Sequence, residues 1–283
     1  GNVSELIFTV TVQSDPLPNQ GEASFTVLGN LGGSGTFCSP AGIATNGTVV
    51  AEGQGAALWT EESGWQTIAG FRPTGISADG STVVGYSNSY AMCWTEATGA
   101  QQIGSLGGFQ GEQNSTAYDA SADGAVVVGS SSGAQGQEAF RWTAENGMEG
   151  LGFLPGGLRE TEYGLMGYGG ARAISADGAV VVGYSRSGIS GDQTEAFCWT
   201  QEGGMQGLGL LPGGTWSQAT GVSPDGAMVF GLADNAEGLS MAFRWTQASG
   251  MTALTSAENT GGLRFLENGS VLVGVGNEGN ADT

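Results

Sequence analysis

Residues 173–183 read Ala-Ile-Ser-Ala-Asp-Gly-Ala-Val-Val-Val-Gly. A short apolar segment leads into Asp177-Gly178, and a β-branched run closed by a glycine follows. That order is strand, tight turn, strand. The same reading recurs as Gly-Ile-Ser-Ala-Asp-Gly-Ser-Thr-Val-Val-Gly at 75–85 and Ala-Ser-Ala-Asp-Gly-Ala-Val-Val-Val-Gly at 120–129. It appears again as Gly-Val-Ser-Pro-Asp-Gly-Ala-Met-Val-Phe-Gly at 221–231, with weaker copies at 42–50 and 264–274. The turns are Asn46-Gly47, Asp79-Gly80, Asp123-Gly124, Asp177-Gly178, Asp225-Gly226 and Asn268-Gly269. Asn-Gly and Asp-Gly tolerate positive φ at both centres, so each dipeptide predicts a type I′ hairpin.

A second element follows the first five copies. It carries Trp-Thr at 59–60, 94–95, 142–143, 199–200 and 245–246, then a glycine-containing turn and an apolar run such as 147–152. Leu-Pro-Gly-Gly at 154–157 and 211–214, or Leu-Gly-Gly at 31–33 and 106–108, ends it. Each repeat of roughly 45 residues therefore holds four short strands, A to D, the content of one propeller blade. The first half is present six times and the second half only five times after it. Residues 24–33 align with the missing D strand and its exit, which places 24–29 and Asn268-Gly269 in one sheet. A linear solenoid needs atypical capping repeats, and none is read here. The sequence thus predicts an all-β, six-bladed β-propeller with four-stranded blades, the ring closed by N- and C-terminal segments sharing one blade. Residues 1–22 form an N-terminal strand and Pro-containing linker, and residues 23–283 the single propeller.

Glycine makes up 54 of the 283 residues, but as punctuation between Val-, Phe- and Trp-rich runs rather than in tracts. The 27 acids against 7 Arg, with a net charge of −20, exclude nucleic acid and insertion at an anionic membrane as partners. That charge favours a solvated acidic surface, cationic partners or a divalent metal. With no His there is no Ser-His-Asp or Cys-His arrangement, and with no Lys no Schiff base. Zinc sites built with His are excluded too. Carboxylate chemistry and Tyr/Arg chemistry remain. Of the three cysteines, Cys93 and Cys198 fill one slot before a Trp and read as core; no disulfide framework is implied.

Positions that repeat read as scaffold. The turn aspartates serve the turns, the Trp-Thr pairs pack between blades, and Trp65 stands where other repeats have Met148, Met205 or Met251. Arg141 and Arg244 share a slot with Cys93, Cys198 and Leu58, which also marks scaffold. Positions that vary are the better candidates. The A–B and C–D turns share one face and are short and uniform. The B–C and D–A connections share the other, and 109–118, 131–138, 158–172, 185–195 and 232–241 differ in length and content. Function concentrates on such loops over a rigid scaffold. The longest, 158–172, supplies Arg159, Glu160, Glu162, Tyr163 and Tyr168 together with Arg172, and Trp216 stands on the same face. These are the ligand-binding candidates. Glu138, Asp192, Glu195 and Asp234 are the candidate calcium ligands; no other cofactor is called for.

At the N-terminus Leu6, Phe8, Val10 and Val12 alternate with Ile7, Thr9, Thr11 and Gln13, a strand period without the Trp-Thr signature. A linker containing Pro16 and Pro18 follows. The strand pairs either in its own sixth blade or with a sheet edge of a neighbouring copy, and those four apolar residues are the assembly-interface candidates.

Ala-Phe-Arg-Trp-Thr followed by Gly-Met, Leu-Gly and Leu-Pro-Gly-Gly, and preceded by Ile-Ser-Ala-Asp-Gly and Val-Val-Val-Gly, resembles the HAF repeat of bacterial extracellular and autotransporter-like proteins. The resemblance spans roughly residues 23–276 and is clearest at 120–157, 173–214 and 221–254. The His that names the family is absent; its slots are read as Ala56, Tyr90, Glu138, Glu195 and Met241. The resemblance implies an extracellular or cell-surface repeat protein and transfers no catalytic residues. The functional expectation is a non-enzymatic structural or adhesive propeller, a self-assembling filament or surface-layer subunit using its N-terminal strand. A glycan- or calcium-binding lectin-like module is the alternative, and a carbohydrate-active enzyme the third reading.

Overall fold

The structure, a computed structural model, describes residues 39–53, 55–108, 111–254, 260–265 and 272–276, the last two segments as backbone. Leu6, Phe8, Val10, Val12, residues 24–29, Cys38 and Asn268-Gly269 lie outside the described residues. Everything regular in it is strand. Blade 1 is β1–β4 (Ser39–Ile43, Val49–Glu52, Ala56–Thr60, Gly64–Ala69), and blade 2 is β5–β8 (Arg72–Ile76, Thr82–Ser87, Tyr90–Thr95, Gly99–Gln102). Blade 3 is β9–β12 (Ser115–Ala120, Val126–Gly133, Gly136–Thr143, Gly147–Gly150). After the short β13 (Arg159–Thr161), blade 4 is β14–β17 (Gly164–Ile174, Val180–Ser185, Glu195–Thr200, Gly204–Gly207). Blade 5 is β18–β21 (Ser217–Val222, Met228–Asp234, Ser240–Thr246, Gly250–Ala253), and the hairpin β22–β23 (Thr260–Phe265, Leu272–Gly276) follows.

Within each blade the strands pair in chain order and antiparallel. Blades 3 and 4 are also joined, through a parallel contact of Gly136 and Gln137 with Gly167 and Tyr168. The inner strands β1, β5, β9, β14, β18 and β22 each adjoin the next, so the blades follow one another around an inner edge. Apolar cores fill the spaces between successive blades 1 to 5. Phe140, Phe197 and Phe243, from the Ala-Phe pairs, are fully buried there. Losing such a ring costs about 3–5 kcal/mol. Trp94, Trp142, Trp199 and Trp245 pack half-buried against these cores, as the repeat predicted. Trp65 faces Trp59 across β3–β4 as Met148 faces Trp142, so it occupies the methionine slot. The threonine of each Trp-Thr caps the next turn: Thr143 Oγ1 accepts the Asn146 amide at 3.2 Å, and Thr200 Oγ1 that of Gly203 at 3.0 Å. Cys93 and Cys198 are free thiols in these cores; burial pushes Cys93 up to about 11 and raises Cys198.

The Asp-Gly turn differs from the type I′ expectation. The Gly178 amide donates to Ser175 O, so Ala176 and Asp177 are the turn centres and Gly178 follows them at φ +73°. The repeated serine explains the choice. Ser175 Oγ donates to Asp177 Oδ1 at 2.6 Å and accepts the Val180 amide at 2.9 Å, while Asp177 Oδ1 accepts the Ala179 amide at 3.0 Å. Ser77–Asp79, Ser121–Asp123 and Ser223–Asp225 repeat these bonds. Side-chain acceptors built into the turn stabilise this geometry over the mirror-image one. Positive φ at two consecutive centres occurs instead at Asn88 and Ser89, on the opposite face.

Main-chain bonds then chain the turns from blade to blade. Thr45 N donates to Ala78 O, Asp79 N to Ala122 O, Ala122 N to Ala176 O, and Ala176 N to Pro224 O, all at 2.8–3.0 Å. Pro224 has no N–H to hand on.

Each inner strand of blades 1 to 5 also carries a bulge at one register position, with Ala41, Thr74, Tyr118, Arg172 and Thr220 as the extra residues. The bulge explains the glycine that ends each Val-Val run. A Cβ at Gly85, Gly129, Gly183 or Gly231 would collide with the inner-strand carbonyl of Arg72, Thr116, Gly170 or Gln218.

Candidate functional site

The segment expected as the longest loop, 158–172, is strand. β13 pairs with the start of β14, Arg159 opposite Met166 and Thr161 opposite Gly164, and β14 then runs on as the inner strand. Residues 131–138 are likewise the ends of β10 and β11 around a two-residue turn. Glycine-rich strands, with little side-chain pattern, look like loop in sequence.

Arg159 explains how the hairpin is held. Its Nη1 donates to Gly156 O, and its Nη2 to Ser187 O at 3.0 Å and to Gly191 O; Nε lies 3.8 Å from Asp192 Oδ1. One guanidinium thus ties the D–A connection to the B–C connection of the same blade. Arg159 is a clamp here, and its donors are committed to the protein. The hairpin and the neighbouring 187–191 connection expose apolar and aromatic side chains: Tyr163 is 56% exposed, Leu165 53%, Tyr168 38% and Ile189 64%. Glu160 and Glu162 are exposed beside them.

Inward from this patch runs a ladder of tyrosines and arginines. The Arg186 guanidinium carbon lies 5.6 Å from the Tyr168 ring centroid, and Tyr168 stands 5.7 Å from Tyr184. Arg172 lies 5.2 Å from the Tyr184 ring and 4.3 Å from that of Tyr118 in blade 3. Arg172 is therefore a bulge residue of the inner strand, not part of a loop. Tyr184 is buried, and burial pushes its phenol up to about 12.

The four candidate calcium ligands are not brought together. Glu138 Oε1 accepts the Gly152 amide at 2.7 Å, and Glu195 Oε1 accepts that of Gly209 at 3.0 Å. The two perform one task in successive blades, holding the exit of the D strand. Gly150 and Gly207 leave the room, since a Cβ at either would strike the carboxylate. Burial pushes the Glu138 carboxyl up, against the pull of the Gly152 amide. Asp234 Oδ1 accepts the amides of Thr215 and Trp216 at 2.7 and 2.8 Å, and Oδ2 the Thr215 hydroxyl at 2.7 Å. Burial opposes ionisation there, but these bonds outweigh it and hold the carboxyl below its usual range. Trp216 is thereby fixed by its backbone and half-buried. Asp192 is almost fully exposed. Among the described residues no group of three or more His, Cys, Asp or Glu could hold an ion. In blade 1 the register places Gly55, not Ala56, in the slot of Glu138, because Leu58 faces Val50 as Arg141 faces Val128.

A second feature of this face was missed by sequence reasoning. Glu52, Arg72, Tyr86 and Asn88 line a cleft of about 300 Å³ between blades 1 and 2. Arg72 grips Glu52 through two bonds of 2.6 and 3.0 Å and lies 5.7 Å from the Tyr86 ring. The available signal was Gly-Tyr-Ser at 85–87 and 183–185, where the other repeats have Gly-Ser-Ser and Gly-Leu-Ala. Both tyrosines carry an arginine.

No protein-family model matches the chain, and no curated protein sequence matches it. Solved structures do. TolB from Acinetobacter baumannii superposes with a TM-score of 0.53 at 14% identity, over 87% of this chain and 59% of that one. The chain thus spans about three-fifths of the length of that protein. A prolyl endopeptidase structure matches with a TM-score of 0.48 at 11% identity, over 81% of this chain and 38% of that one. The TolB likeness, with the successive four-stranded sheets, makes the fold an all-β, propeller-type one. Among the described residues no helix is long and apolar enough to cross a membrane.

Proposed function

We propose that the chain is a non-enzymatic adhesive propeller of the extracellular kind that the HAF resemblance implies, and that its B–C and D–A face around blade 4 is the contact surface. The observation that carries this reading is the pinned hairpin. Tyr163, Leu165, Tyr168 and Ile189 are exposed on a hairpin and a connection that Arg159 ties together. Several large exposed apolar side chains on the connections of a single blade make that region the candidate interaction site. Rigid aromatic faces bordered by the Glu160 and Glu162 carboxylates suit a saccharide, which offers apolar ring faces and hydroxyl donors. The binding reading is favoured over the enzymatic one by what the carboxylates do: Glu138, Glu195 and Asp234 each accept main-chain amides of a neighbouring connection. The test is a panel of immobilised neutral and acidic polysaccharides probed with the parent and with a Tyr163→Ser/Leu165→Ser variant. Binding by the parent that the variant loses supports the proposal. Binding unchanged in the variant, or release of reducing ends by the parent, contradicts it.

A second reading concerns the chain ends. Ala176 N donates to Pro224 O, and Pro224 has no N–H with which to continue the series in the same way, so a further link onward from blade 5 would have to come from elsewhere in the chain. We infer that the chain ends supply it, with Leu6–Val12 paired in the sixth blade of its own ring or in that of a neighbouring copy, which would build filaments. Deleting residues 1–13 separates the two. A folded monomer that no longer assembles marks exchange between copies. A lowered melting temperature at unchanged oligomeric state marks closure within one chain.

A further inference from the structure

Tyr86 and Tyr184 fill the same place in blades 2 and 4, yet their surroundings differ. Tyr86 pairs with Arg72 across β5–β6 as Tyr184 pairs with Gly170 across β14–β15. Two positions before those partners stand Gly70 and Tyr168. In blade 4 the Tyr168 ring stands 5.7 Å from that of Tyr184, and Arg186 lies 5.6 Å from Tyr168. In blade 2 the corresponding space is open: a Cβ built at Gly70 would meet nothing within 4 Å. Asn88 stands at the position of Arg186, in a two-residue turn where it takes φ +47° and Ser89 +70°. A second small residue widens the space. Gly55 occupies the slot from which Glu138 and Glu195 reach the amides of Gly152 and Gly209. The result is the cleft of about 300 Å³ lined by Gly55, Gly70, Tyr86 and Asn88, with the Arg72–Glu52 pair at its side. Small-molecule sites span roughly 300–1,000 Å³, so it has room for one small ring.

We propose that this cleft binds one neutral pyranose ring of a saccharide, laid against Tyr86 over Gly70, where the fourth blade lays Tyr168. A pyranose offers what Tyr168 offers, an apolar flank with hydroxyl at its edge. The Arg72–Glu52 pair sets the charge. Each ion neutralises the other, so the cleft calls for neither an anion nor a cation, and the net charge of −20 works against an acidic sugar. The pair still presents both kinds of hydrogen-bonding group. Its side-on contact uses Nε and Nη2, which leaves Nη1 outside the pair, and a carboxylate has more acceptor sites than two bonds use. Asn88 adds an amide that both donates and accepts. Neighbouring ring hydroxyls, each a donor and an acceptor, match that mixture, whereas an aromatic ring would leave it unused. The cleft lies between blades 1 and 2 and does not rest on the hairpin patch of blade 4.

The experiment is a saturation-transfer NMR titration of the full chain with the methyl glycosides of glucose, galactose, mannose and N-acetylglucosamine. N-acetyl-L-tyrosinamide is the aromatic-ring control, and melting temperatures are taken alongside. Binding of at least one glycoside supports the proposal. Gly70→Tyr supplies the ring from the chain itself, and is expected to weaken that binding about tenfold or more at an unchanged or higher melting temperature, because the cleft is then filled. Tyr86→Ser is expected to weaken it about fivefold, through loss of the ring face. Glu52→Gln is expected to weaken it about threefold, through loss of a charged acceptor. If Gly70→Tyr does not fold, the other two variants carry the test. No glycoside bound by the parent, the tyrosinamide bound in place of the glycosides, or parental affinity in folded Gly70→Tyr or in both other variants would each overturn the proposal. Glycoside binding kept in Tyr163→Ser/Leu165→Ser supports a site apart from the hairpin patch, and its loss there would overturn this one.

Discussion

The two faces of the blades solve opposite problems. On the A–B turn face one arrangement is written four times, with Ser77, Ser121, Ser175 and Ser223 each bridging an aspartate and an amide five residues ahead. On the other face one slot holds Tyr90, Glu138, Glu195 and Met241, and it is put to three different uses. Tyr90 reaches Gln113, Glu138 and Glu195 seize the next glycine amide, and Met241 packs into the blade 4–5 core. Repeated turns let blades 1 to 5 be bonded in succession by main-chain contacts of one kind. Unlike connections let the fourth blade carry a hairpin, and a ring ladder reaching Tyr118 of blade 3, that no other described blade repeats.

The contrast breaks most visibly at the serines. Each hydroxyl is buried and has two partners, so Ser175→Ala leaves the Val180 amide unserved and is expected to cost about 1–3 kcal/mol. Replacing all four serines should depart from the sum of the single costs, because successive turns are hydrogen-bonded to one another and couple. Urea unfolding checks both. On the other face Arg159→Gln removes several carbonyl contacts from a side chain that is partly exposed. The expectation is a global loss of about 1 kcal/mol, with protease cleavage newly confined to the hairpin and the 186–192 connection.

The smallest effect is in pH dependence, and the signs are opposite. Asp123 and Asp177 are held below the usual range, first by Ser121 and Ser175 and then by the Ala125 and Ala179 amides. Their stabilisation is present above the ordinary aspartate range and is lost as the pH falls through the lowered one. Glu138 is raised by burial, so its protonated form is favoured in the fold. Its contribution is present below the ordinary glutamate range and is lost as the pH rises through the raised one. Asp123→Asn/Asp177→Asn should therefore flatten the acid limb of a stability–pH curve, and Glu138→Gln the slope just above it.

The architecture was readable because it is repeated: the four strands per blade, the packing of the Ala-Phe and Trp residues, and the Trp65 slot all follow from comparing copies. The turn type was not, because Asp-Gly suits two geometries and the choice is made by a serine two residues earlier. Arg159, Glu160, Glu162, Tyr163 and Tyr168 were grouped by their place in a variable segment, and β13 and β14 carry them. Reading that segment as loop failed where glycine replaces the alternation that marks a strand. Glu138, Glu195 and Asp234 were visible as acids, but their amide partners are 14 to 19 residues away and no spacing rule finds them. Arg172 was visible in the same segment, but its place against Tyr118, a residue of the neighbouring blade, comes from the bulge and no spacing rule gives it.

The account stands on the division between a scaffold face and a contact face, and one paired measurement tests it. The parent, a hairpin variant (Tyr163→Ser/Leu165→Ser) and a turn variant (Ser121→Ala/Ser175→Ala) are compared for melting temperature and for binding to the polysaccharide panel. The hairpin variant is expected to melt with the parent and lose binding, and the turn variant to melt lower and bind as the parent does while folded. A hairpin variant that keeps full binding, or a turn variant that loses binding without losing stability, would contradict the division.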